Sequence, residues 1–148
     1  MLSIVNLSKS YAKKKILDEI KLQFRPGEIN GIVGENGAGK TTSVSMLLGL
    51  VKASSGQALL FGKDPQALES RMRTGVMLQL SGIPDTLKVK EHIELYGAYY
   101  PNPLSLKEVL ELSGLGGLEN RWYGKLSGGQ KQRLHLALAM CGNPDLVF

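Results

Sequence analysis

The chain has 148 residues, 43% of them apolar and 21% charged, with a net charge of +5 and a pI near 9.4. That size suits one domain burying roughly 70% of its unfolded surface, and the composition is that of an ordinary soluble protein. No apolar run reaches the ~18 residues of a membrane span, and no basic head precedes an apolar signal core. The single cysteine, Cys141, excludes an internal disulfide and fits a reducing, cytoplasmic setting. With only His92 and His135 beside it, a zinc site is excluded too. The lysines are dispersed, and the one dense run, "KKK" at residues 13–15, reads as a solvated turn rather than a nucleic-acid patch.

In chain order, "IKLQF" at residues 20–24 alternates Ile20, Leu22 and Phe24 against Lys21 and Gln23 and stops at Pro26-Gly27, which predicts a strand. "EINGIV" at 28–33 predicts a second strand, leading into a glycine-rich loop. The helix expected next carries Val44, Leu47, Leu48 and Val51 as one apolar stripe. "QALLF" at 57–61, closed by Gly62, and "GVMLQ" at 75–79 read as further strands. Residues 81–125 change character and read as a small helical insertion. Val89, Ile93 and Tyr96 have helical spacing, Pro101 and Pro103 interrupt it, and Ser105 with Glu108 caps a short helix ending near Gly114. "NPDLVF" at 143–148 stops a helix and begins an apolar strand. There is no internal repeat, low-complexity segment or flexible linker.

Two stretches carry chemistry. "GENGAGKT" at residues 34–41 satisfies G-x-x-x-x-G-K-[ST]. Its glycines let backbone N–H groups approach phosphate oxygens closely. Lys40 can reach the β- and γ-phosphates, and the Thr41 hydroxyl can bind Mg²⁺. The following helix would aim its positive end at the same anion. The modest positive charge suits such a polyanionic ligand.

"LSGGQ" at residues 126–130 is harder to explain. Ser127 and Gln130 stand at capping-box spacing, and Leu134, Ala137, Leu138 and Cys141 form a stripe that Leu136 and Met140 widen, which predicts a largely buried helix. Capping accounts for the serine and glutamine. It does not account for two adjacent glycines, each costing close to ~1 kcal/mol relative to alanine in a helix. Glycines there suggest that something approaches the backbone.

With both loops in this order, the whole chain resembles the nucleotide-binding subunit of an ATP-binding cassette (ABC) transporter. The first loop matches the Walker A motif, and residues 126–130 match the family signature. The resemblance implies an α/β fold: a P-loop NTPase core with an N-terminal antiparallel β subdomain and a small helical insertion, residues 81–125, inside a domain spanning 1–148. It implies ATP and Mg²⁺ as cofactors. Nucleotide contacts would come from Tyr11, stacked on adenine, and from Gly34, Glu35, Asn36, Gly37, Ala38, Gly39, Lys40, Thr41 and Thr42. Gln79 matches the Q-loop glutamine and would act with Lys40 in catalysis and with Thr41 at the metal. Unaided by the family, Tyr11 reads as a strand-end tyrosine and Gln79 as a solvated strand end.

The resemblance also explains the second loop. Two subunits would pack head to tail, an isologous arrangement, so that Ser127, Gly128, Gly129 and Gln130 meet the partner's nucleotide. ATP would close the dimer, and loss of the γ-phosphate would release it. A transmembrane permease subunit would hold the protein at the inner face of the membrane, and no nucleic-acid partner is expected. Trp122 and Tyr123 lie in the insertion that faces the permease in this family, although core packing is the plainer reading of both.

The family's next residues are absent: "LVF" fills three of four apolar Walker B places and the sequence given stops. The 148 residues are therefore expected to lack the Mg²⁺-supporting aspartate and the glutamate base, to leave the core sheet incomplete, and to be inactive alone. Glu35 is not expected to substitute. The stretch from Val76 to Tyr100 looks more like exporters than sugar importers. Alternatives are a soluble ABC-type ATPase acting on nucleic acid or ribosomes, and a non-catalytic nucleotide-binding fragment.

Overall fold

The computed structural model describes residues 2–12, 14–77 and 82–148. Its contacts divide the chain into two compact units, Met1–Arg71 and Met72–Phe148; residues 82–125 fall in the second.

The first unit begins with two long strands, β1 (Leu2–Tyr11) and β2 (Lys14–Phe24), paired antiparallel. "IKLQF" is the end of β2. Of its expected inward residues, Ile20 and Phe24 are half-buried, but Leu22 is 44% exposed. β1 is a strand that alternation did not reveal. Its buried residues are Leu2 and Ile4, then Leu7 and Ser8, so the phase flips midway. The flip occurs at Asn6, which has φ 48°, where the pairing with β2 shifts register between Ile4 and Leu7. A bulge inserts one residue and turns every later side chain to the other face.

Beyond β2 the chain departs from expectation. Residues 28–35 form no strand, and Ile29 and Val33 are almost fully exposed. A strand needs a neighbour for its backbone groups. Neither the three-stranded sheet nor the short two-stranded pair of the described residues supplies one here. Helix α1 (Lys40–Leu47) follows. Its buried residues are Ser43, Met46 and Leu47, so only Leu47 of the expected stripe is fully buried. Gly49, at φ 68°, ends the helix after two turns, which leaves Val51 beyond it. Strand β3 (Ser55–Leu60) completes the sheet in the order β2-β1-β3, all antiparallel. Among the described residues of this unit, Leu2, Ile4, Leu7, Leu17, Met46, Leu47 and Leu60 are the buried apolar ones. Helix α2 (Leu68–Met72) runs across the boundary.

The second unit opens with β4 (Thr74–Gly75). Helices α3 (Val89–Gly97), α4 (Leu106–Ser113) and α5 (Gly128–Met140) follow, and β5 (Leu146–Val147) then returns parallel to β4. The pairing extends past both strands, with Phe148 N donating to Gly75 O at 3.0 Å and Met77 N to Phe148 O at 2.8 Å. The expected strands at 75–79 and 145–148 are therefore partners, although residues 78–81 lie outside the described part. A parallel pair needs a long crossover, and the three helices provide it. Gly75 permits the closure: a Cβ there would fall on the carbonyl oxygen of Ala139 in α5.

Local signals agree with the helices. Ser105 Oγ accepts from Glu108 N, Ser105 N donates to the Glu108 carboxylate at 2.8 Å, and Gly114 ends α4 in the left-handed region at φ 63°. Leu134, Ala137, Leu138 and Cys141 of the predicted stripe are all buried, packed with Val89, Ile93, Val109, Leu110 and Leu115. Leu136 is 37% exposed and Met140 half-buried, so the stripe is narrower than expected. Two residues along a helix is about 200° of rotation, which carries Leu136 away from Leu134. Among the described residues no helix is long and apolar enough to cross a membrane.

Leu134 is fully buried at the centre of the helical core. Leu134→Ala should destabilise the second unit by about 2–5 kcal/mol, the transfer and cavity cost of a core leucine. Urea unfolding followed by Trp122, the only tryptophan, measures it; a loss below about 1 kcal/mol would contradict this packing.

Candidate nucleotide-binding site

The loop of residues 34–39 is closed by its own lysine. Lys40 Nζ donates to Gly34 O at 2.7 Å and to Glu35 O at 2.8 Å. Ala38 N returns to Glu35 O at 3.2 Å, and Asn36 and Gly37 form the turn between them. Gly37 (φ 85°) and Gly39 (φ 89°) take left-handed conformations that side chains resist. Gly39 has a second reason to be glycine: a Cβ would stand 2.8 Å from Leu17 Cδ2 of β2. The loop is thus pressed onto the sheet and delivered into α1.

Helix α1 starts at Lys40 with Gly39 as its N-cap and no side-chain cap. Ser43 N makes the first intrahelical bond, to Gly39 O at 2.8 Å. The N–H groups of the turn before it are those that a helix leaves unpaired, and they carry the positive end of its dipole. Thr41 is exposed and Thr42 half-buried in that turn. The donor set, an ammonium with first-turn amides and glycines, fits a phosphate chain. For a metal, Thr41 supplies one hydroxyl; among the described residues no cluster of three His, Cys, Asp or Glu side chains could hold an ion. Tyr11 ends β1 opposite Lys14, is 51% exposed, and has Lys9 Nζ 4.9 Å from its ring centroid. It belongs to the same compact unit as the loop. Gln79 lies outside the described residues.

The second loop belongs to the other unit. Ser127 caps α5: its Oγ accepts from Gln130 N at 3.3 Å, and its N–H donates to Gln130 Oε1 at 2.9 Å. Ser127, Gly128 and Gly129 are exposed, and a Cβ at either glycine would meet nothing within 4 Å. Among the described residues, no packing requires these glycines.

What holds this loop was not legible in the sequence. A 3₁₀ turn, Tyr123–Lys125, precedes it. Tyr123 N donates to Leu87 O at 2.9 Å, and its hydroxyl lies 3.1 Å from His135 Nε2 on α5. The fully buried His92 of α3 packs its ring edge-on against Tyr123, centroids 5.5 Å apart. His92 Nε2 is 3.2 Å from Pro84 O, while Nδ1 is the buried side-chain polar atom without a hydrogen bond among the described residues. Lys131 Nζ stands 4.6 Å from the Tyr123 ring centroid and 3.9 Å from Asp85. The available sequence signal was the place of each histidine among buried apolar residues, His92 by Val89 and Ile93 and His135 by Leu134 and Leu138. Tyr123 is core, as expected, but Trp122 is 46% exposed. It lies on the outer edge of the turn, where Lys88 Nζ approaches its ring at 5.2 Å.

A glycine loop closed on its lysine at the mouth of a helix defines a P-loop nucleotide-binding protein. A family model described as ABC transporter matches residues 17–148, and the chain belongs to that family. It is 35% identical to the bacitracin transport ATP-binding protein BcrA of Bacillus licheniformis, over all of this chain and 50% of the relative. It is also 35% identical to the phosphonates import ATP-binding protein PhnC of Alcaligenes faecalis, over all of this chain and 61% of that protein. Among solved structures, cbiO1 of Clostridium perfringens, part of the ABC transporter complex cbiONQ, superposes with a TM-score of 0.81. That match is at 26% identity over 99% of this chain and 63% of that one. The fold class expected from the sequence is the one these structures have. The chain spans about half the length of the first of these relatives. An import subunit matches as well as the bacitracin subunit, so the exporter-like pattern does not set a direction.

Burial holds the pKa of His92 below its ordinary value of 6.5, against opposing pulls from the Pro84 bond and Glu91. Burial, then Lys131, lowers that of His135. As pH falls the unfolded chain therefore takes up protons first, so this stability is complete above about 6.5 and is lost as pH drops through the folded values. The urea midpoint reported by Trp122 should fall between pH 7.5 and 5.5. His92→Gln with His135→Gln should flatten the dependence. An equal slope in parent and double variant would contradict the assignment.

Proposed function

We propose that this chain forms the ATP-binding part of a transporter ATPase subunit. ATP would be held by the loop of residues 34–42 and Tyr11, and the loop of residues 127–130 would receive the nucleotide of a second subunit. The observation that carries the reading is the pairing of Lys40 with the Gly34 and Glu35 carbonyls at the mouth of α1. An ammonium donates three hydrogen bonds and accepts none. Phosphate oxygens can take those bonds over, and charge-assisted bonds of this kind are about twice as strong as neutral ones. The glycines and first-turn amides then surround the β- and γ-phosphates, and Tyr11 offers a ring to the base. Mg²⁺, when bound, would neutralise charge on the transferring phosphoryl group; Thr41 and Gln79 are the residues of this chain that would hold it.

The exposed glycines at 128 and 129 support the second half of the reading, because no contact among the described residues calls for them, while close approach by a partner's phosphate would. A head-to-tail dimer would place them on its phosphate, with the α5 N-terminus adding its dipole. A permease subunit would dock the assembly at the inner face of the membrane and choose the substrate.

Hydrolysis needs a base and a metal held from two sides. The one Asp-Glu pair of the 148 residues, Asp18-Glu19, lies inside β2, ahead of the loop, and does not stand where the family's Walker B pair would follow residues 146–148, so these residues alone should bind ATP without turning it over. In calorimetry the parent should bind ATP and Lys40→Ala should lose at least tenfold in affinity; equal binding would sink the nucleotide reading. Phosphate release should be the same for parent and Lys40→Ala. Release by the parent above that control would contradict the inactivity alone.

A further inference from the structure

We propose that Lys9 is a positioning residue for the nucleotide base: its ammonium braces the Tyr11 ring and ties it to the chain segment that follows α1. This rests on the nucleotide reading above.

Lys9 and Tyr11 are two apart on β1 and so project from the same face of the strand. Lys9 Nζ stands 4.9 Å from the Tyr11 ring centroid, well inside cation–π range, and donates to Lys52 O at 2.6 Å. Two further bonds lie beside that anchor. Ser54 N donates to Ser8 O at 2.9 Å, and Ser10 N to Ser54 Oγ at 3.1 Å. Residues 52–54 are thereby fastened to the end of β1 carrying Tyr11. The same residues follow α1, whose first residue is Lys40.

Tyr11 needs such a brace. It is half exposed at a strand end, followed by Ala12 in the left-handed region at φ 51°. A free ring at a strand end samples several rotamers, and stacking on it must then include the cost of ordering it. The ammonium removes part of that cost by fixing the ring beforehand. It also draws electron density from the ring face, which suits an aromatic base stacked against the tyrosine. Lys9 thus acts through Tyr11 and not on the phosphates. Its lone surface ion would otherwise be an unexceptional lysine; what singles it out is that one nitrogen holds both the ring and the Lys52 carbonyl.

The test uses the 148-residue chain with ATP and inorganic tripolyphosphate as probes, in calorimetry. Lys9→Met keeps the stem and removes the charge. It should weaken ATP roughly two- to fivefold, the size of an exposed cation–π contact, and leave tripolyphosphate unchanged. Lys9→Arg, which keeps a cation and donors, should restore ATP affinity. In a Tyr11→Ala background Lys9→Met should have no further effect, since the coupling energy of the pair is already gone. Overturning results are unchanged ATP affinity in Lys9→Met, equal losses for ATP and tripolyphosphate, or additive losses with Tyr11→Ala. Should Lys9→Met unfold, failure of Lys9→Arg to bind ATP like the parent would equally overturn the proposal. No ATP binding by the parent would instead overturn the nucleotide reading itself, and this inference with it.

Discussion

Lys40 carries three hydrogen-bond donors, and in this chain at least two of them close on the carbonyls of Gly34 and Glu35. Residues 28–38 are exposed and form no strand; among the described contacts they are held by this ammonium, by the Ala38–Glu35 turn, by the Arg25 N–H bond to the Glu28 carboxylate and by the seat of Gly39 against Leu17. Such a loop is ordered by a cation that a polyanion can claim. The contact that closes the loop is therefore the one a triphosphate would replace, and binding would exchange one set of oxygens for another rather than build a new structure.

The second unit solves a different problem. Its glycine loop has no partner to close on among the described residues, and it is held from behind. Leu126 is buried, Ser127 caps α5, and Tyr123 is fixed by Leu87, His92 and His135. Burying two neutral imidazoles and a phenol is costly unless they are hydrogen-bonded. The Tyr123–His135 and His92–Pro84 contacts meet most of that requirement, leaving one orphaned nitrogen. Rigidity behind the loop and emptiness in front of it suit a surface that waits for another molecule's phosphate.

Much of this was legible in the sequence, for identifiable reasons. The loop of residues 34–41 and the capping boxes at Ser105 and Ser127 depend on local chemistry, and each formed where the residues placed it. Apolar runs of strand length marked the strands at 75–79 and after Pro144, and the structure adds that they pair. What failed was non-local. β1 was hidden because the bulge at Asn6 breaks its alternation, and "EINGIV" read as a strand but has no neighbour to pair with among the described residues. The α1 stripe overran a helix that Gly49 stops. The histidine–tyrosine cluster joins residues 92, 123 and 135, which spacing alone does not bring together. Family resemblance supplied the roles of Tyr11, Gln79 and the signature loop; bare periodicity would have supplied none.

The most direct test of the central claim is amide NMR of the 148-residue chain titrated with ATP. If the Lys40-closed loop is the nucleotide site, the amides of residues 34–42 and the signals of Tyr11 should shift together, with one binding constant. Those of residues 127–130, which need a partner's nucleotide, should stay in place in the monomer. Shifts at residues 127–130 with none at 34–42 would contradict the account.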